Sequence, residues 1–205
     1  MKSGALEIFK NKKVVIIGST PPAGFPIDDF DVVVRCNDWW ATDEGRCDVL
    51  FHIGTSTKLK CGYMLGHNKM IPQLKDLFLY RDGAEAAKMA KICHFHKIEV
   101  HAYDKLSEHL KPLRHWFGLY GTSPSTGLIA TYTVCLHEPE LLVVTGADLY
   151  MNEMDHTGWA RHNPIGHCKW YRKLGSQYDF LRIGQDLATG IEHWEAEAKA
   201  KGVDL

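Results

Sequence analysis

The segment Gly121-Thr122-Ser123-Pro124-Ser125-Thr126-Gly127 crowds hydroxyl side chains and a closing glycine into one short stretch before an apolar run. Free backbone N–H groups and the helix dipole at a helix start favour an anion, and a glycine there lets a ligand approach the backbone. Ser125, Thr126 and Gly127 are therefore candidate phosphate ligands, although Ser-Pro-Ser-Thr also serves as ordinary helix capping. The Lys-Ser/Thr end of a P-loop is missing.

A second cluster, Arg161-His162-Asn163-Pro164-Ile165-Gly166-His167-Cys168, sets two histidines around a Pro and a Gly. A neutral imidazole is the natural general base near neutral pH, and a helix start favours the uncharged ring. His167 is the candidate base, with Gly166 expected to leave its ring accessible, and His162 is its rival. A surface or structural histidine is the plainer alternative in a chain with 12 of them.

The loop Gly18-Ser19-Thr20-Pro21-Pro22-Ala23-Gly24 is not a Gly-x-Gly-x-x-Gly fingerprint, and no acidic residue ends the second strand, which disfavours NAD. Asn37 offers donors and acceptors suited to a ribose or sugar hydroxyl, or to a plain turn. Cys93-His94-Phe95-His96 with His101 nearby, and His162 with His167-Cys168, contain ligand-type residues without paired Cys-x-x-Cys or His-Glu-x-x-His spacing. No metal and no cofactor are expected.

These residues need elements to position them. β-Branched runs predict buried strands at 13–18, 31–36, 47–52 and 140–146, with shorter strands near Met70-Ile71, at 98–103 and at 178–183. Helical spacing predicts helices at 84–95, 105–116, 124–137, 166–174 and 185–200. For the third of these, Ser123 is the expected N-cap and Pro124 the first helical residue. In the last helix Leu187, Ile191 and Trp194 share a face.

Strands alternating with helices predict a single-domain open α/β/α sandwich over residues 1–205, with a mostly parallel, Rossmann-like sheet. Ligands in such folds sit beyond the carboxyl ends of the strands. That points to Gly18 onward, Asn37, the stretch from His52, Ala147 to Tyr150, and the helix start at Ser125.

Composition narrows the class. Of 205 residues, 24 are Lys or Arg and 25 are Asp or Glu, for a formal charge of −1, which is no basic footprint for nucleic acid. No apolar run reaches the ~20 residues of a membrane span, and the N-terminal stretch lacks a signal-peptide core. A soluble, cytoplasmic protein is expected. The six cysteines lack a short-spaced framework and are expected as reduced thiols.

Taken in order along the chain, these segments resemble sialyltransferases. Val14-Val15-Ile16-Ile17-Gly18 followed by Phe30-Asp31-Val32-Val33-Val34-Arg35-Cys36-Asn37 resembles the first nucleotide-binding region of bacterial sialyltransferases of glycosyltransferase family 42. The same pair is similar to the large sialylmotif of the animal enzymes of family 29. Pro124-Ser125-Thr126-Gly127 with 141–146 resembles the small sialylmotif. Gly146-Ala147-Asp148-Leu149-Tyr150 resembles the Gly-x-Asp-x-Tyr stretch of the bacterial family, and Ile165-Gly166-His167 its Ile-Gly-His.

The resemblance implies a GT-A-like, metal-independent, inverting transferase. It would move a sialic acid or related acid sugar from a CMP-activated donor to a glycan or other hydroxyl acceptor. His167 would be the base and Tyr150 would donate to the departing phosphate. Gly18, Ser19, Thr20, Asn37, His52, Ser125, Thr126, Gly127 and Asp148 would line the donor site. The chain departs from the family in having Ser19 and His52 where asparagine is usual, and His156 is the nearest counterpart of a second phosphate-binding tyrosine. Two alternatives stay open: a transferase of the same fold using another nucleotide donor, and a non-catalytic nucleotide- or glycan-binding module.

Overall fold

The computed structural model describes residues 7–18, 25–36, 46–52, 74–79, 84–101, 103–147, 149 and 163–203. Their centre is a seven-stranded, wholly parallel sheet in the order β5-β4-β3-β2-β1-β6-β7. The strands are β1 (Lys13–Ile17), β2 (Val32–Cys36), β3 (Val49–His52), β4 (Asp76–Leu79), β5 (Glu99–His101), β6 (Leu141–Thr145) and β7 (Leu181–Ile183). The helices are α1 (Ala84–Phe95), α2 (Tyr103–Leu119), α3 (Thr126–Cys135), α4 (Pro164–Gln177) and α5 (Gln185–Ala200). The fold is the expected α/β, Rossmann-like one.

Strand β1 shows why the β-branched run reads as central. It pairs with β2 on one side and β6 on the other, and Val14, Val15, Ile16 and Ile17 are all buried. Each such side chain contributes up to about 1.5–3 kcal/mol by leaving water. On one face, Val14, Ile16, Val34, Phe51 and Phe78 join Leu110, Leu113 and Phe117 of α2 and apolar residues of α3, α4 and α5 in a single core. On the other, Val15, Ile17 and Val33 meet Phe30, with Phe25 and Ile27 packed alongside.

The sheet order reverses between β1 and β6, because β2 to β5 extend one way and β6 and β7 the other. In open α/β sheets the crevice beyond the carboxyl ends at such a reversal is where ligands bind. The direction of α3 follows from its far end. Glu138 O accepts from Asn11 N–H and Glu140 N–H donates to Lys12 O, so α3 ends beside the amino edge of β1. With about 1.5 Å of rise per residue over its ten residues, its start lies toward the carboxyl edge.

Several expected boundaries shift. The short strand near Met70-Ile71 lies outside the described residues, and a strand stands instead at Asp76–Leu79. The N-cap of α3 is Ser125 rather than Ser123, so Pro124 precedes the helix instead of opening it. Helix α4 begins at Pro164, two residues before the expected start. The strand expected over 178–183 keeps only Leu181–Ile183, because Leu181 N–H turns back to Tyr178 O.

Candidate functional site

Two helix starts meet at one contact. At α3, Ser125 is extended, and its Oγ accepts the Leu128 N–H at 3.2 Å. The Ser125 N–H points the other way and donates to His167 Nε2 at 2.9 Å. At α4, Asn163 adopts a positive φ of 30° that asparagine tolerates, and its Oδ1 accepts the Gly166 N–H at 3.1 Å. The Asn163 carbonyl then lies 3.0 Å from His167 Nδ1.

Those partners fix the tautomer. A backbone N–H only donates and a carbonyl only accepts, so Nε2 carries the lone pair and Nδ1 the proton. His167 is neutral with both ring nitrogens engaged. It is also 0% exposed, and Phe117 meets its ring edge-on at 4.9 Å. The expectation that Gly166 leaves the ring accessible is therefore corrected. A Cβ at Gly166 would stand 2.8 Å from Trp116 Cζ3, so this glycine admits the Trp116 indole of α2.

The start of α3 is built differently. Thr126 is buried at its first position. A Cβ at Gly127 would meet, among the described residues, only Tyr171 Oη at 3.9 Å, an ordinary contact. Nothing described in the fold requires glycine there.

Gly18 and Gly146 stand just past the carboxyl ends of the adjacent strands β1 and β6. Gly18 N–H donates to Thr145 O at 2.8 Å, and a Cβ on Gly18 would fall 2.2 Å from the Gly146 carbonyl oxygen. Gly146 itself has φ of 74°, the left-handed region. The turn after β6 is held from α5, in a way the sequence reading missed. Asp186 Oδ1 accepts from Thr145 Oγ1 and Oδ2 from Ala147 N–H, both at 2.8 Å. Trp194 Nε1 donates to Leu149 O at 2.8 Å. Both residues flanking Asp148 are thus tied to one helix. An acidic residue in the first turn of α5 was visible in the sequence, but its partners lie 39 and 41 residues away and leave no local signal.

His52 is buried at the end of β3, level with Leu79 of β4. Ser19, Thr20, Asn37, Asp148, Tyr150, His156 and His162 lie outside the described residues. The five described cysteines are free thiols. Burial pushes Cys36, Cys93, Cys135 and Cys168 up to about 12 and raises Cys47 as well, which makes them poor nucleophiles. Among the described residues no helix is long and apolar enough to cross a membrane.

No protein-family model matches the sequence, and no curated protein matches it either. Solved structures do. The sialyltransferase CstII from Campylobacter jejuni in complex with the substrate analogue CMP-3FNeuAc superposes with a TM-score of 0.52 at 14% identity, covering 84% of this chain and 81% of that one. CstII with a trisaccharide acceptor and CMP gives 0.52 at 15%, covering 83% and 80%. The monofunctional α-2,3-sialyltransferase Cst-I from the same organism gives 0.56 at 12%, covering 85% and 76%. The chain has the α/β fold of these sialyltransferases.

Proposed function

We propose that the protein is a sialyltransferase-like glycosyltransferase that moves an acid sugar from a CMP-activated donor to a hydroxyl acceptor with inversion. The observation that carries this reading is the junction of α3 and α4. A roomy, hydroxyl-bearing helix start shares one hydrogen bond with a neutral imidazole on the carboxyl side of a Rossmann-like sheet. The fold likeness to CMP-binding sialyltransferases supports the donor class.

The donor phosphate lies at the start of α3, where helix N–H groups, Ser125 and Thr126 meet its charge without a cation clamp. Gly18, Ser19, Thr20, Asn37, His52 and Asp148 line the remaining donor site, and Tyr150 donates to the departing phosphate. The acceptor oxygen attacks the anomeric carbon as the bond to CMP breaks. The hydroxyl proton passes to His167 Nε2. To receive it, Nε2 gives up the Ser125 N–H, which then becomes available to the phosphate. Donor loading and release of the base are thus one exchange.

The engagement of both ring nitrogens favours a specific second reading. In it His167 positions the Ser125 turn, and His162 or His156 takes the proton. Single variants separate the two. If His167 is the base, His167→Ala lowers turnover about 10²–10⁴-fold, keeps CMP affinity and loses the acidic limb of the pH–rate profile. If it positions the turn, His167→Ala weakens CMP binding and leaves that limb in place, while His162→Ala or His156→Ala removes it. Full transfer activity in all three variants would overturn the enzyme reading.

A further inference from the structure

At the far edge of the sheet, three and four strands from β1, lies a cluster that the crevice does not use. Asp76 opens β4, and Glu99 stands directly across from it on β5. His101 follows two residues later, so its side chain leaves the same face as that of Glu99. His101 Nε2 is 2.8 Å from Asp76 Oδ1, with both side chains buried. One potential ligand atom from each of the three residues lies within 4.8 Å of the other two.

We propose that Asp76, Glu99 and His101 form a site for a divalent cation of the zinc class, which ties the edge strand β5 to β4. Three observations carry this. The donor set, one imidazole nitrogen and two carboxylates, suits zinc and leaves a fourth position for water. The His101 ring is held in place by stacking on Phe78 at 4.2 Å, which in turn stacks on Phe51 at 4.4 Å. Charge also calls for a cation. Two carboxylates stand side by side, and among the described residues neither is paired with a lysine or arginine. The nearby Lys75 ammonium is committed to Asp48 at 3.0 Å.

With a neutral imidazole the cluster carries two negative charges, which one divalent ion cancels. Ligand atoms on a tetrahedral ion with bonds of about 2.0–2.1 Å stand roughly 3.3 Å apart. The Asp76–His101 pair must therefore open by about half an ångström, and the exposed Glu99 side chain must swing inward. His101 stood out in the sequence as a ligand-type residue, but its partners did not, because residues 76 and 99 are far apart in the chain and no motif spacing links them.

The test uses the full chain, stripped with a chelator and then titrated with Zn²⁺ or Co²⁺. The proposal expects one saturable equivalent of Zn²⁺, a Co²⁺ visible spectrum of low coordination number, and a rise in melting temperature on binding. Glu99→Gln, a surface change that leaves the core intact, weakens affinity at least tenfold, as do Asp76→Asn and His101→Gln. The double variant His94→Gln/His96→Gln, which removes the exposed His94 and the half-buried His96 around the end of α1, binds like the parent. Absence of saturable binding, unchanged affinity in Glu99→Gln, or loss of binding in the His94/His96 variant would overturn it.

Discussion

The two helix starts that meet at His167 have opposite characters. The first turn of α4 is sealed by the protein: Asn163 caps it, Trp116 fills the space over Gly166, and the His167 ring closes it from inside. The first turn of α3 is capped by Ser125, yet among the described residues a side chain at Gly127 would touch little. Both carry the same dipole, and each has a proline beside its cap, Pro124 just before Ser125 and Pro164 just after Asn163. Among the described residues, the fold leaves room over the first turn of α3 and fills the space over that of α4.

Glycine substitutions break this contrast most strongly. Gly18→Ala and Gly166→Ala each force an atom into occupied space, against the Gly146 carbonyl and the Trp116 indole respectively. Gly18→Ala meets rigid backbone and should cost about 3 kcal/mol, and Gly166→Ala about 1–3 kcal/mol, as read by chemical denaturation. Gly127→Ala should instead hold or raise stability, by up to about 1 kcal/mol, because alanine is the better helix former. The same change should weaken nucleotide binding. A Gly127→Ala variant that unfolds as readily as Gly166→Ala would erase the difference between the two starts.

Thr126→Ala sharpens the comparison from the ligand side. It should weaken CMP binding by about 1–3 kcal/mol if its hydroxyl meets a charged oxygen. Unchanged affinity with an unchanged melting temperature would remove Thr126 from the site.

A smaller effect comes from the far end of α3. Burial, reinforced by the charge of His109, holds the His137 imidazole down to about 4. The unfolded chain therefore takes up the proton first as pH falls below about 6.5. Stability is full above that value and declines toward pH 4. His137→Gln should flatten part of that decline in a melting-temperature series, and an identical pH profile would count against it.

The sheet and its helices were legible because their signals are local. The runs at 13–18 and 31–36 could only be buried strands, and the apolar spacing of α1 and α5 predicts their observed bounds, 84–95 and 185–200. Strand β4 escaped because it is four residues long and begins with an aspartate whose partners, Glu99 and His101, lie on another strand. The cap of α3 slipped by two residues because Ser123 and Ser125 carry the same capping chemistry, and only the Leu128 contact distinguishes them. In the site, the residues at each helix start were visible as motifs. Their junction was not, because the Ser125–His167 bond spans 42 residues, and neither was the Asp186 clamp. The buried His167 ring packs against Phe117, a residue with no sequence tie to it.

The most direct test of the central claim, that the start of α3 holds a cytidine monophosphate donor, is a thermal-shift panel of CMP, CMP-sialic acid, CDP, UDP and GDP on the parent chain and on Thr126→Ala. A ligand at 100 times its Kd adds about 2.7 kcal/mol, roughly a 5–10 °C rise for a domain of this size. CMP and CMP-sialic acid should give that rise in the parent, and less of it in Thr126→Ala at the same concentration. Stabilisation by UDP or GDP with none by CMP would contradict the account.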